Sequence, residues 1–209
     1  MGDFILVAVI GYLFGNIQAS YILGKLIKKV DIRTLGQGNA GASNAVESLG
    51  VKFGMIVALI DILKALISIL LVKELFHVGL DAAGSPLLYL NGYCVILGHV
   101  YPFYMNFKGG KGIAALMGML FGLHPLIGVG GIAVMTTVTF LGDYISLGSM
   151  ALSIYAVLIT MFLRLGVFPI GISLAGMLLI FYLHVPNFRR IAKKKEVKVS
   201  SVLFKKKKL

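Results

Sequence analysis

Apolar residues fill stretches 4–23, 53–72, 86–105, 112–142, 147–163 and 167–183 almost without a charge, and the charged residues gather between them. Roughly 18 to 20 apolar residues carry a helix across a bilayer, a length each stretch approaches or passes. The 31-residue stretch 112–142 is too long for one crossing. At about 1.5 Å of rise per residue it would overshoot a hydrocarbon core of about 30 Å by half again. Pro125 also disfavours helical geometry in the residue before it. The pattern therefore predicts two short spans broken near His124-Pro125, and an all-α polytopic membrane protein with seven transmembrane helices.

Composition agrees with this reading. The chain of 209 residues is 58% hydrophobic and 13% charged, with a mean hydropathy of +0.94, whereas a soluble domain is about 25% charged. The first apolar stretch has only Asp3 before it, so it predicts a retained span and not a cleaved leader. The lone Cys94 excludes an internal disulfide and a cysteine-based metal site.

The net charge of +12 is concentrated in two places. From Arg189 to Lys208 there are ten lysines or arginines and one acid, Glu196. Beside a membrane span, such a run holds a tail in the cytoplasm near anionic lipid, and this reading is preferred to nucleic-acid binding. Lys25, Lys28, Lys29, Arg33 and Lys52 place the segment 25–52 on the same side. An even number of crossings must separate the two, which the split at Pro125 supplies. The N-terminus is then outside. Residues 1–188 form one integral membrane domain, residues 189–209 a basic cytoplasmic tail, and the loops near 25–52, 106–112 and 143–146 are cytoplasmic.

Those loops hold the unusual residues. TLGQGNAGASNAVESLG, residues 34–50, contains Gly36, Gly38 and Gly41 in the spacing G-x-G-x-x-G. A dinucleotide fingerprint needs a preceding strand and a βαβ unit, and this stretch lies between membrane helices. Two readings remain: glycine-rich backbone whose N–H groups bind an anion at a helix start, or a flexible turn capped by Asn39 and Asn44. In GHVYPFYMNFKGGKG, residues 98–112, Lys108, Gly109, Gly110 and Lys111 directly precede an apolar helix. That suits a phosphate, or equally a turn whose lysines face headgroups. His99 is a candidate base or an interfacial histidine. His184 and Asn187 share a face if helical, and Pro186 predicts that such a turn would begin there. Asp61 and Lys64, at i and i+3 in the second span, read as a structural ion pair.

Together these motifs resemble the bacterial acyl-phosphate:glycerol-3-phosphate acyltransferases, over nearly the whole chain to about Glu196. The family's D-I-R-x-x-G-S-G-N-x-G-A-T-N-x-x-R is matched by DIRTLGQGNAGASNAVE, and its D-x-x-K-G by Asp61 and Lys64 with Ala65 for the glycine. G-H-x-x-P-x-x-x-x-F-K-G-G-K-G is matched by His99, Pro102 and Phe107 to Gly112. S-L-G-S stands at Ser146 to Ser149, and H-R-x-N-I-x-R survives as His184, Asn187 and Arg190. Gln37 replaces the motif's serine, Glu47 its final arginine, and Lys194 a glycine near the tail.

The resemblance implies transfer of an acyl group from acyl-phosphate to the sn-1 hydroxyl of glycerol 3-phosphate, by a monomer in the bacterial inner membrane. It implies no metal, no organic cofactor and no nucleic-acid partner. Lys111, His184, Asn187 and His99 are the implied catalytic residues. Gly36, Gly38, Asn39, Ala40, Gly41, Asn44, Lys108, Gly109, Gly110, Ser146 and Ser149 are the implied phosphate-binding positions. Gln37 and Glu47 fall where the family holds the acceptor, and an acid there should repel its phosphate. Either histidine, or a phosphate oxygen of the substrate, is left as the group that takes the proton. Alternatives are a paralogue that acylates another small acceptor, and an inactive or lipid-transporting relative. A transporter would show an internal repeat and mid-membrane polar groups.

Overall fold

The computed structural model describes residues 2–203, and among them every regular element is helical. In chain order the helices are α1 (Gly2–Gly15), α2 (Ala19–Leu23), α3 (Ala42–Leu49), α4 (Val51–Phe76), α5 (Ser85–Val100), α6 (Ile113–Leu123), α7 (Pro125–Gly142), α8 (Ile145–Phe162), α9 (Val167–Ala192) and α10 (Val199–Leu203). Five stretches are long and apolar enough to cross a membrane: Gly2–Lys28, Val51–Phe76, Pro125–Gly142, Ile145–Phe162 and Val167–Ala192. Helix α5 has 16 residues and α6 has 11, each shorter than a full span. The lysines 205–208 of the basic tail lie outside the described residues.

The expected interruption falls at His124. Its backbone is extended (φ −161°, ψ 136°), its Nδ1 accepts from the N–H of Leu126 at 3.2 Å, and Pro125 opens α7. Proline suits that first helical position because its missing N–H would have no partner there anyway.

Helix α5 is the centre of the bundle, enclosed by α1, α4, α6 and α9, with Leu88, Tyr89, Val95 and Ile96 fully buried. Apolar packing against lipid gives helices little reason to associate, so close backbone approach and interhelical hydrogen bonds carry more of the work. At the α1–α5 crossing, a Cβ on Gly98 would lie 2.2 Å from the Tyr12 carbonyl, and one on Gly15 would lie 2.2 Å from that of Val95. Asn91 donates to the Val7 carbonyl at 2.9 Å and accepts from Ser68 at 2.9 Å, tying α5 to α1 and α4. Tyr89 and Thr160 join α5 to α8 at 2.8 Å. The outer face is apolar instead: Leu59, Leu63, Leu141 and Leu178 are exposed, as a lipid-facing surface requires.

Pro186 departs from expectation. It lies inside α9, which continues unbroken to Ala192, and does not begin a turn. An interior proline costs about 3 kcal/mol. The buried stripe Ile180, His184 and Asn187 passes across it at helical spacing and holds the helix to the bundle on both sides.

Because the α1–α5 contact is backbone on backbone, Gly98→Ala is expected to lower the thermal midpoint in detergent by about 5 °C or more, from an overpacking cost of about 1–3 kcal/mol. Thermal unfolding followed by circular dichroism would measure it, with Gly171→Ala, a site with open space around it, as the matched control.

Candidate active site

One end of the bundle gathers all the motif loops around a cavity of about 420 Å³. The first loop is organised from within by Asn44. Its Oδ1 accepts from the Gln37 N–H at 2.7 Å, and its Nδ2 donates to the carbonyls of Ile32, Leu35 and Asn39 at 3.1, 3.2 and 2.8 Å. A Cβ on Gly36, which has a φ of +50°, would lie 2.3 Å from that Oδ1, so only glycine lets the loop close over the amide. Arg33 pairs with Asp31 at 2.8 Å and donates to the Met105 carbonyl at 2.9 Å, joining this loop to the second. The hydrogen bond from Arg33 holds the Asp31 carboxyl below the usual carboxylate range.

The glycine-rich backbone is already occupied. The N–H of Gly38 donates to Leu35, that of Ala40 to Gly109, and that of Gly41 to the Asn39 side chain, at 3.0, 3.1 and 3.0 Å. Ala42 and Ser43, in the first turn of α3, have no such acceptors among the described residues, and both line the cavity with Asn39 and Gly41. Among Gly38–Gly41 the N–H of Asn39 alone has no acceptor among the described residues, and the other free N–H groups that an anion would use stand at the start of the helix that follows.

The second loop divides its residues in the same way. Gly109 and Gly110 donate to the carbonyls of Val100 and His99, both at 3.0 Å, and so pack flat against the end of α5. A Cβ on Gly110 would lie 2.1 Å from His99 Nε2. Lys108 is exposed and does not line the cavity, whereas Lys111 is half-buried and reaches in to donate to Asn187 Oδ1. Burial, reinforced by the charge of Arg190 and opposed by Glu196, lowers the Lys111 ammonium to about 8. Ser146 and Ser149, from the first turns of α8, line the opposite wall. Ser149 donates to the Ile145 carbonyl at 2.9 Å, and the buried Ser146 hydroxyl has no partner among the described residues.

The tail completes the cavity. Asn187 and Arg190 grip Glu196, with Nδ2 to Oε1 and Nε to Oε2 both at 2.6 Å. Arg190 also donates to Gln37 Oε1 at 2.8 Å, and Gln37 Nε2 donates to Glu47 at 3.0 Å. One polar chain thus runs from Lys111 through Asn187, Glu196, Arg190 and Gln37 to Glu47. Beyond it, Val197, Lys198, Val199 and Val202 form part of the cavity wall, although the sequence assigns them to a basic tail. Asp143 pins this segment: its carbonyl accepts from the Val199 N–H at 3.0 Å, and its carboxylate accepts from the Ser200 N–H and hydroxyl at 2.8 and 2.7 Å. The Ser200 N–H bond lowers the Asp143 carboxyl from its ordinary value.

On the inner side of the cavity lie Asp61 and His99, with Lys64 behind them, and His184. The sequence therefore brings Lys111, His99, His184, Asn187, Gln37, Glu47, Asn39, Gly41, Ser146 and Ser149 to one cavity. It leaves Gly36, Gly38, Ala40, Asn44, Gly109 and Gly110 as the framework behind it. Glu196, Ala42 and Ser43 line the cavity without having been singled out for it, and Arg190, read as a motif position, joins them through Glu196 and Gln37. Glu196 carried a signal, as the one acid in a run of ten basic residues; the two N–H groups of α3 carried none.

Residues 5–194 match the family described as glycerol-3-phosphate acyltransferase. The chain is 39% identical over 205 residues to glycerol-3-phosphate acyltransferase 1 of Oceanobacillus iheyensis, covering 97% of this chain and 98% of that one. It is 39% identical over 194 residues to the Bacillus subtilis glycerol-3-phosphate acyltransferase, covering 93% and 96%. The crystal structure of PlsY, an integral membrane glycerol 3-phosphate acyltransferase, in its glycerol 3-phosphate form superimposes with a TM-score of 0.86 at 32% identity, covering 96% of this chain and 98% of that one. Agreement of the fold along its whole length, of the motifs, and of the loops that build the cavity leads to one assignment: the chain belongs to the glycerol-3-phosphate acyltransferase family.

Proposed function

We propose that the protein transfers a fatty acyl group from an acyl-phosphate to the sn-1 hydroxyl of glycerol 3-phosphate, giving lysophosphatidate and phosphate. The observation that carries this reading is the cavity's division into two chemistries. One end is polar, built from Lys111, Asn187, Lys198 and the start of α3 with Glu47 and Glu196 beside them; the other is an apolar wall that includes Ile62, Met117, Ile132 and Met135. A phosphate group and an acyl chain joined in one molecule fit that division, and the relatives are named for acylation of glycerol 3-phosphate.

An acyl-phosphate is a mixed anhydride, already activated, so the protein has to position it and stabilise the phosphate that departs. Ala42, Ser43 and Lys111 are suited to the donor phosphate. The hydroxyl oxygen attacks the acyl carbon, the carbon–oxygen bond to phosphate breaks, and phosphate leaves with the electron pair. The acceptor's phosphate is assigned to the Asn187–Arg190 fork, where the Glu196 carboxylate now occupies the position an anion would take. A second reading, a different small acceptor, is favoured by Glu47, whose carboxylate stands at the mouth bonded to Gln37.

In this reading α5 and α6 also cross the bilayer, giving seven spans with the N-terminus outside and the loops and tail in the cytoplasm of a bacterial cell. Residues 1–188 form one integral membrane domain, and the basic tail 189–209 folds its first part back over the cavity. The enzyme acts as a monomer.

Purified protein given palmitoyl phosphate is expected to release phosphate only with glycerol 3-phosphate present, in step with lysophosphatidate. Lys111→Ala should lower that rate by about a hundredfold or more; donor hydrolysis or binding without lysophosphatidate would instead support the second reading. Lys111 is charged below about 8 and loses its proton above it. kcat/KM is therefore expected to fall as pH rises through that value, and Lys111→Arg should move the fall to higher pH. The double change Gln37→Ser with Glu47→Arg is expected to raise kcat/KM for glycerol 3-phosphate by about tenfold, the equivalent of one charge-assisted hydrogen bond of ~1.4 kcal/mol. An unchanged value would remove these two positions from the acceptor site.

A further inference from the structure

Lys64 is buried in α4, and four groups surround its Nζ: the carbonyls of Ile17 and Gly15 at 2.6 and 3.2 Å, Asp61 Oδ1 at 2.7 Å, and His99 Nδ1 at 2.9 Å. Two of these are carbonyls, which only accept, and the third is a carboxylate that, among the described residues, has no near donor besides Lys64 at 2.7 Å and His99 at 3.5 Å. An unpaired carboxylate buried among helices is costly, so the cluster is held together as a carboxylate and an ammonium. An ammonium has three protons and no lone pair; the three serve the shortest contacts, Ile17, Asp61 and His99, and the Gly15 carbonyl at 3.2 Å shares one of them. The ammonium can only donate to His99 Nδ1, which must therefore present its lone pair. An imidazolium would instead point an N–H at an ammonium 2.9 Å away. The ring is neutral, with its proton on Nε2.

His99 lines the cavity, and no protein group bonds its Nε2 among the described residues. Gly110 lies against that nitrogen with no side chain to cover it. His184 has the opposite arrangement. Its Nδ1 lies 2.8 Å from the Ile180 carbonyl, which can only accept, so the proton is on Nδ1. Nε2 is bare in the neutral ring, and His184 too lines the cavity.

We propose that Lys64, held by Asp61, is a positioning residue that keeps His99 an Nε2–H donor to an oxygen of the bound substrate, and that His184 is the histidine that accepts the hydroxyl proton. The inference rests on the acyl-transfer reading above. As the acceptor oxygen bonds to the acyl carbon, its proton passes to His184 Nε2 and the carbonyl oxygen gathers the negative charge. His99 Nε2–H is available to that oxygen. When the bond to phosphate breaks, phosphate departs with the electron pair and receives the proton from His184. His99 begins and ends with the same proton.

The test is nitrogen NMR on the full chain labelled with ring-¹⁵N histidine in lipid nanodiscs at neutral pH. His99→Gln and His184→Gln assign the two signals. Expected are a neutral His99 protonated only at Nε2 and a neutral His184 protonated only at Nδ1. Lys64→Met should end the exclusive Nε2–H form of His99, because Asp61 Oδ1, 3.5 Å from Nδ1, then invites the proton to the other nitrogen. If the uncompensated carboxylate prevents folding, Asp61→Asn with Lys64→Met removes both charges and should give a mixture of tautomers. The variant that folds should lose about ten- to a hundredfold in kcat, with KM for palmitoyl phosphate changed less than about threefold. A wild-type His99 that is charged or protonated at Nδ1, a tautomer unchanged by these substitutions, or a loss confined to KM would overturn the proposal. The expected tautomers without any lysophosphatidate would uphold the Lys64 assignment and overturn the functional reading.

Discussion

Hydrocarbon offers no water to complete the hydrogen bonds of a polar group, and the architecture follows from that constraint. Several polar side chains of the bundle interior tie helices together: Asn91 joins three helices, Tyr89 and Thr160 join two, and Lys64 draws together the α1–α2 junction, α4 and α5. The same constraint explains the glycines at the helix crossings. Helices that gain little from excluding water gain from backbone contact, and Gly15 against Gly98 is the closest case.

At the end of the bundle the balance changes, because water and charged ligands can reach it. There the loops spend their internal hydrogen bonds on their own shape and leave a small number of groups free. Asn44 uses its whole amide to hold the first loop, and Gly109 and Gly110 use their N–H groups to lie against α5. Groups left facing the cavity include those at the start of α3 and the long side chain of Lys111, with Arg190 joined to them through Glu196. Glu196 occupies the donors of Asn187 and Arg190, and its carboxylate offsets the charge of Arg190 near Lys111.

Gln37 and Glu47, which differ from the residues of the motif they otherwise match, form one connected feature. Gln37 Oε1 accepts from Arg190 while its amide donates to Glu47. An amide is the side chain that can satisfy a guanidinium and a carboxylate at once. The two departures are consistent with each other, and through Arg190 they couple to the tail.

The sequence by itself determined that the chain is a helical membrane protein, that its long apolar stretch breaks at Pro125, and that its motifs are those of one family. These follow from local rules: apolar length, the geometry of proline, and residue types at fixed spacing. The tertiary structure decided which members of each motif face the cavity and which support it. Gly38 and Ala42 lie in one motif, yet only folding shows that the N–H of the first is bonded and that of the second is free. Glu196 entered the site because α9 runs on through Pro186 and turns the tail back toward Asp143, a contact between residues distant in sequence. The partner of His99 Nδ1 was likewise decided there, because Lys64 lies on another helix and meets that nitrogen only when α4 and α5 are packed.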